Sequence, residues 1–103
     1  GSILQVGESM KVYNRKLVLQ GDGNLVLYGN GKALWSTRTS GKGANRLVVQ
    51  SDGNLVLYNN GKALWSSRTN GQGTSRLVLQ GDGNLVLYKL QGRPTWWTGT
   101  QSS

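Results

Sequence analysis

The sequence predicts an all-β fold built from three copies of one small unit, and three observations carry that expectation. No stretch of the 103 residues places apolar residues at helical spacing. Apolar residues come instead in short runs, separated by turns rich in Gly, Asp and Asn. The runs also repeat. Residues 15–44 align with 45–74 without a gap, with 21 of 30 positions identical, and 75–100 continue the pattern with one residue inserted after Tyr88.

Taken in order, the opening residues supply one extra strand around Ile3–Val6. Each repeat then begins with an apolar strand: Leu17 to Gln20, Leu47 to Gln50, Leu77 to Gln80. A tight turn follows at Gly21-Asp22-Gly23, Ser51-Asp52-Gly53 and Gly81-Asp82-Gly83. The second strand runs from Asn24 to Tyr28, Asn54 to Tyr58 and Asn84 to Tyr88. Asn30-Gly31 and Asn60-Gly61 are hairpin dipeptides, since a two-residue turn there needs positive φ. A third strand carries Trp35, Trp65 or Trp96, and Gly-rich links join one unit to the next. Three such units suggest a closed threefold arrangement, which would also remove exposed sheet edges. The whole of 1–103 is expected to be a single domain.

Composition excludes several classes of function. The chain has no Cys and no His, so it offers no disulfide, thiol nucleophile, zinc–thiolate site or imidazole base. No apolar run approaches the ~18 residues that span a bilayer, so no membrane insertion is expected. The 12 Lys and Arg against 4 acids give a net charge of +8. These cations are dispersed, with neither a recognition helix nor an RNA-binding signature, and they fit a solvated surface better than a nucleic-acid partner.

The acids are more telling. Three of the four are Asp22, Asp52 and Asp82, at the same place in each repeat. Asp is a good turn former, but that does not explain its recurring neighbours. Strand alternation puts the leucines inward. It leaves Gln20, Asp22, Asn24, Val26 and Tyr28 on one outer surface. Gln50, Asp52, Asn54, Val56 and Tyr58 form a second set, and Gln80, Asp82, Asn84, Val86 and Tyr88 a third. Each set combines a carboxylate, two amides, a phenol and a small apolar floor. That is the chemistry for holding a polyol ring. Catalysis is not expected, because glycoside hydrolysis needs two carboxyl groups within about 5–10 Å and each unit supplies one.

The pattern Gln-x-Asp-x-Asn-x-Val-x-Tyr stands without substitution at 20–28, 50–58 and 80–88. On these residues the chain resembles the bulb-type (monocot) mannose-binding lectins, the β-prism II or B-type lectin family. The likeness extends to Ile3-Leu4, Gly7-Glu8 and Trp97 to Thr100. The resemblance implies three four-stranded antiparallel sheets in a triangular prism with pseudo-threefold symmetry, and tryptophans near its axis. It implies one monosaccharide on each sheet, with no metal and no cofactor. By position, Asp22 and Asn24 would bind the axial O2 of mannose, Gln20 would bind O3, Tyr28 would bind O4, and Val26 would touch the C3–C4 edge. The matching residues of the other two sets take the same roles. The partners implied are mannose-containing glycans, met outside the cell or at a cell surface. The resemblance also implies a homodimer through exchange of the C-terminal strand Arg93 to Gln101, with a monomer that keeps this strand as the alternative. The chain departs from plant members in one respect: Gly23, Gly53 and Gly83 stand where one of them would be Cys.

Two other functions fit the same residues, a mannose-targeted antibacterial effector and a designed symmetric scaffold. One Trp per repeat favours a core role for Trp35, Trp65 and Trp96. Trp97 has no counterpart, as Ser36 and Ser66 occupy its place, and is expected at the prism end or a subunit contact.

Overall fold

A computed structural model describes residues 2–102. In chain order its strands are β1 (Ser2–Gln5), β2 (Ser9–Val12), β3 (Arg15–Leu19), β4 (Leu25–Gly29), β5 (Lys32–Ser36), β6 (Arg46–Val49), β7 (Leu55–Asn59), β8 (Lys62–Ser66), β9 (Ser75–Leu79), β10 (Leu85–Lys89) and β11 (Pro94–Trp97). They form three antiparallel sheets in the orders β2-β3-β4-β5, β1-β6-β7-β8 and β11-β10-β9. No helix occurs among the described residues. The architecture is the all-β prism of three repeated sheets.

Two details differ from the sequence expectation. The opening residues form two strands rather than one, and these join different sheets: β1 pairs with β6, and β2 pairs with β3. The third sheet has three strands rather than four. Residues 98–102, which follow β11, do not turn back toward β9. They lie over the Asp82–Gly83 turn, where Thr100 Oγ1 donates to Gly83 O at 2.7 Å and the Ser102 amide donates to Asp82 O at 2.7 Å. Among the described residues no strand pairs with the outer edge of β9, so closure does not remove every edge. Leu77 in β9 is half-buried, whereas its counterparts Leu17 and Leu47 are fully buried.

The leucines face inward as the alternation requires. Leu17, Leu19, Leu25, Leu27, Leu47, Leu55, Leu57, Leu85 and Leu87 show no exposed surface. Each such side chain contributes about 1.5–3 kcal/mol through removal from water. Trp35, Trp65 and Trp96 meet where the sheets converge. Their ring centroids are 5.4–5.6 Å apart and their planes cross at 67–74°, so each indole presents an edge to a neighbour's face. A bulge at the same point of each outer pair helps put them there. Leu27 pairs with Trp35 but Tyr28 with Ala33, which skips Leu34. Leu64 and Thr95 are skipped alike. The extra residue keeps Trp facing inward beside Leu27, Leu57 or Leu87 while the strand bends.

The hairpin dipeptides adopt the backbone that the sequence predicts, with φ of 52° and 77° at Asn30 and Gly31, and 47° and 90° at Asn60 and Gly61. Gly53 is under a second constraint. Its φ is +90°, and a Cβ there would lie 2.6 Å from the Gly73 carbonyl oxygen. Gly61 has the same φ but open space around it. Gly61→Ala should therefore cost about 1 kcal/mol for the backbone alone. Gly53→Ala should cost at least about 1–3 kcal/mol more, through overpacking. Parallel urea melts of the two variants measure the difference.

The junctions between repeats are sealed in two ways. Gly23 and Gly53 pack on the backbone of the following link: a Cβ on Gly23 would lie 2.9 Å from the Ala44 nitrogen, as one on Gly53 would meet Gly73. No peptide link runs from the third repeat back to the first. There the guanidinium of Arg15 fills the place, 2.6 Å from where a Gly83 Cβ would be. Arg15 is 8% exposed. Its Nε donates to Gly83 O at 3.2 Å, Nη2 to Thr100 O at 3.0 Å and to Ser102 Oγ at 3.3 Å, and Nη1 to Asn14 Oδ1 at 3.1 Å. Neutral acceptors thus satisfy a cation whose burial would otherwise be costly.

Candidate functional site

Each Gln-x-Asp-x-Asn-x-Val-x-Tyr segment straddles a turn and the strand after it. Gln20, Asp22 and Asn24 lie on the turn between β3 and β4, while Val26 and Tyr28 lie on β4. The turn is closed by Gln20 N to Asn24 O at 2.9 Å and Gly23 N to Gln20 O at 2.9 Å, and the other two repeats match it.

The aspartates have a local task. Oδ1 of Asp22, Asp52 and Asp82 accepts the backbone N–H two residues on, at 2.9, 3.0 and 2.9 Å. This is the side-chain turn that favours Asp at such positions. The second oxygen faces outward; at Asp22 it accepts from Ser40 Oγ at 3.1 Å. All three aspartates are exposed.

The asparagines are anchored by their oxygen. Asn24 Oδ1 accepts from Thr39 N at 3.2 Å and Thr37 Oγ1 at 3.4 Å. Asn54 Oδ1 accepts from Ser67 Oγ and Thr69 N, both at 3.2 Å. Asn84 Oδ1 accepts from Thr98 Oγ1, Gly99 N and Thr100 N at 3.2, 2.9 and 3.3 Å. Backbone N–H donors fix the amide orientation, so each Nδ2 points away from them as a donor. The hydroxyl pairs Thr37/Thr39, Ser67/Thr69 and Thr98/Thr100 are supporting residues outside the five-residue motif. Their signal is present in the sequence: two hydroxyl residues, two apart, recur after the third strand of every repeat.

Gln and Tyr bond to each other. Nε2 of Gln20, Gln50 and Gln80 donates to Oη of Tyr28, Tyr58 and Tyr88. Each pair keeps an amide oxygen as acceptor and a phenol O–H as donor. A cation stands across the strand from each tyrosine: Lys16 opposite Tyr28, Arg46 opposite Tyr58, Arg76 opposite Tyr88. The Arg46 and Arg76 guanidinium carbons lie 5.9 and 5.7 Å from the ring centroids, within cation–π reach. The cations are thus not all scattered: one occupies the same position in every repeat.

The valines correct the sequence picture. The alternation puts Val26, Val56 and Val86 on the outer face, yet each is only 3% exposed. They keep the outer-face register, flanked across the sheet by Val18 and Ser36, Val48 and Ser66, and Val78 and Trp97. Those flanking residues leave each valine as the floor of a shallow groove. The third groove has an extra wall. A cleft of about 260 Å³ is lined by Gln80, Asn84, Val86 and Tyr88 together with Pro94, Trp97 and Gln101. Trp97 thus lies on the sheet face beside this groove rather than at the prism end. Among the described residues no group of three or more His, Cys, Asp or Glu side chains is placed to hold a metal ion.

No protein-family model matches the chain, and no curated protein matches it. Solved structures do. A monomeric monocot mannose-binding lectin from Gastrodia elata is 40% identical, with a TM-score of 0.93, and the match covers 99% of this chain and 94% of that one. The mannose-specific agglutinin of snowdrop (Galanthus nivalis), solved with methyl-α-D-mannoside, is 40% identical with a TM-score of 0.79, over 97% of this chain and 92% of that one. A domain-swapped lectin dimer from Mycobacterium smegmatis is 48% identical with a TM-score of 0.54, over 91% and 90%.

Proposed function

The chain belongs to the bulb-type (monocot) mannose-binding lectin family, and from that premise we propose that it is a non-catalytic carbohydrate-binding protein for terminal α-D-mannose, with 1–103 as one B-type lectin domain. The observation that supports this most directly is the triplicate set of directional groups around an apolar floor. Asp22 Oδ2 and Asn24 Nδ2 supply an acceptor and a donor for the axial O2. Gln20 Oε1 accepts from O3, and the Tyr28 phenol donates to O4. Val26 lies under the C3–C4 edge. Asp52, Asn54, Gln50, Tyr58 and Val56 do the same in the second site, and Asp82, Asn84, Gln80, Tyr88 and Val86 in the third.

Preference over glucose follows from one hydroxyl. Glucose carries O2 equatorially, which takes it away from the Asp and Asn groups. An unpaired, desolvated polar group costs about 1–3 kcal/mol, a discrimination of roughly 5- to 150-fold. A shallow site should hold one monosaccharide at a Kd on the order of 1 mM, about −4 kcal/mol. Useful avidity for a glycan surface then comes from several sites acting together.

The proposed assembled state is a homodimer formed by exchange of the segment Arg93 to Gln101. In the single chain β11 pairs with β10, and a second copy's β11 in that place would keep the same hydrogen bonds. The loop before it, with Leu90 82% exposed, is a natural hinge. Light scattering across a concentration series should show a dimer; a monomer at every concentration would remove this part.

The binding reading is tested by NMR titration with methyl α-mannoside and methyl α-glucoside. Mannoside should shift the amides of all three motif turns, with a dissociation constant near 1 mM. An unmoved spectrum, or equal response to both sugars, would overturn it.

A further inference from the structure

We propose that the third site is extended by an adjoining subsite, walled by Trp97, which takes a second pyranose of a mannose oligosaccharide. This rests on the mannose reading above and adds a residue outside the five-residue motif. Three observations support it. First, Trp97 pairs directly with Val86 across β10 and β11. Directly opposed residues of an antiparallel pair share a face, so the indole stands beside the proposed sugar floor. The same register puts Ser36 opposite Val26 and Ser66 opposite Val56. The third site alone therefore has an aromatic wall at this point.

Second, Trp97 is 55% exposed. The neighbouring Trp96 turns inward to complete the indole cluster, so Trp97 is not needed to fill the core. Third, Trp97 is continuous with the site. One cleft of about 260 Å³ joins Gln80, Asn84, Val86 and Tyr88 to Pro94, Trp97 and Gln101. The two extra walls suit a sugar. Pro94 is rigid, and the Gln101 amide offers both a donor and an acceptor at the rim.

The chemistry names the occupant. A pyranose has an apolar C–H face and a rim of hydroxyls. An indole face takes the first, and amides at the edge take the second. A monosaccharide held over Val86 leaves the indole largely uncovered. A disaccharide that keeps its terminal mannose there lays its second ring toward β11 and covers it. The third site should therefore gain affinity from mannose to a mannobiose, whereas the first and second, with serine at this place, should not.

The test is a site-resolved NMR titration of the whole chain with methyl α-mannoside and with α-linked mannobioses. The Trp97 indole N–H and the amides of 84–88 report the third site; the amides of 24–28 and 54–58 report the others. We expect mannobiose to bind the third site about 2- to 10-fold more tightly than the monosaccharide, and to move the Trp97 indole signal. The first two sites should change by less than twofold. Trp97→Ser reproduces the residue found in the other two sheets and should abolish the gain while leaving methyl α-mannoside binding in place. Trp97→Tyr should restore part of it. Equal gains at all three sites, or a gain that survives Trp97→Ser, would overturn the subsite while leaving the mannose reading intact. An indole signal that moves with protein concentration and not with sugar would assign Trp97 to a contact between copies, and would also overturn it. No response to either sugar at any site would overturn the mannose reading and the subsite together.

Discussion

Replacing Asp22, Asp52 and Asp82 together with Asn should abolish mannose binding and leave the melting curve nearly unchanged. Both halves of this result follow from the two oxygens of each carboxylate. Oδ1 holds the turn by accepting the N–H of Asn24, Asn54 or Asn84. An Asn side chain makes the same turn, so the fold keeps its contact. The outer oxygen is the ionised acceptor proposed for O2, and in Asn that position becomes an amide nitrogen, a donor without charge. Hydrogen bonds to charged groups contribute about 1.5–3 kcal/mol, so each site should weaken by roughly 10- to 150-fold, taking a millimolar site beyond detection. Calorimetry with methyl α-mannoside reads the binding, and thermal unfolding reads the fold. Retained binding would remove the carboxylates from the recognition scheme. Alanine is the poorer probe, because it would remove the turn acceptor together with the sugar acceptor.

The second large effect is on stability. Trp65→Ala should lower the unfolding free energy by about 3 kcal/mol, the lower end of the range for large aromatic truncations, since the side chain is only partly buried. Trp65 makes edge contacts at 5.6 and 5.5 Å with Trp35 and Trp96, so its removal leaves the sheets facing a gap where they converge. For a chain near this length, a change of that size lowers Tm by roughly 12 °C or more. A domain this small holds only about 5–15 kcal/mol in total. Should the alanine variant fail to fold, Trp65→Phe should melt at an intermediate temperature. A Trp65→Ala variant with an unchanged Tm would show that the indole cluster is not what joins the sheets.

Most of this was legible in the sequence because each repeat states it again. Leucine alternation fixed the inward face, Asn30-Gly31 and Asn60-Gly61 fixed the hairpins, and one Trp per unit pointed to the core. The recurrence of Gln, Asp, Asn, Val and Tyr marks the candidate sites. What escaped was what does not repeat, or repeats in ordinary residues. Ser9–Val12 is a strand because β3 offers it an edge, not because Ser-Met-Lys-Val carries a strong local preference. The depth of the valines depends on neighbours from adjacent strands, and a period-2 pattern contains no depth. The hydroxyl pairs that hold the asparagines looked like linker composition. Arg15 looked like one of many surface cations, since nothing local indicates that its guanidinium crosses to a turn 68 residues away.

That crossing bears on how the molecule comes apart. Two of the three seams between units are crossed by covalent backbone and cannot separate while the chain is whole. At the third no backbone crosses, and Arg15, donating to uncharged oxygens, supplies the hydrogen bonds that close it beside the Trp35–Trp96 contact. Thermal fluctuation should therefore breach the ring at this seam first, releasing 98–102 while the other two corners stay shut. Hydrogen exchange should be fastest there, and in the proposed strand-exchanged dimer the same breach would free the terminal segment.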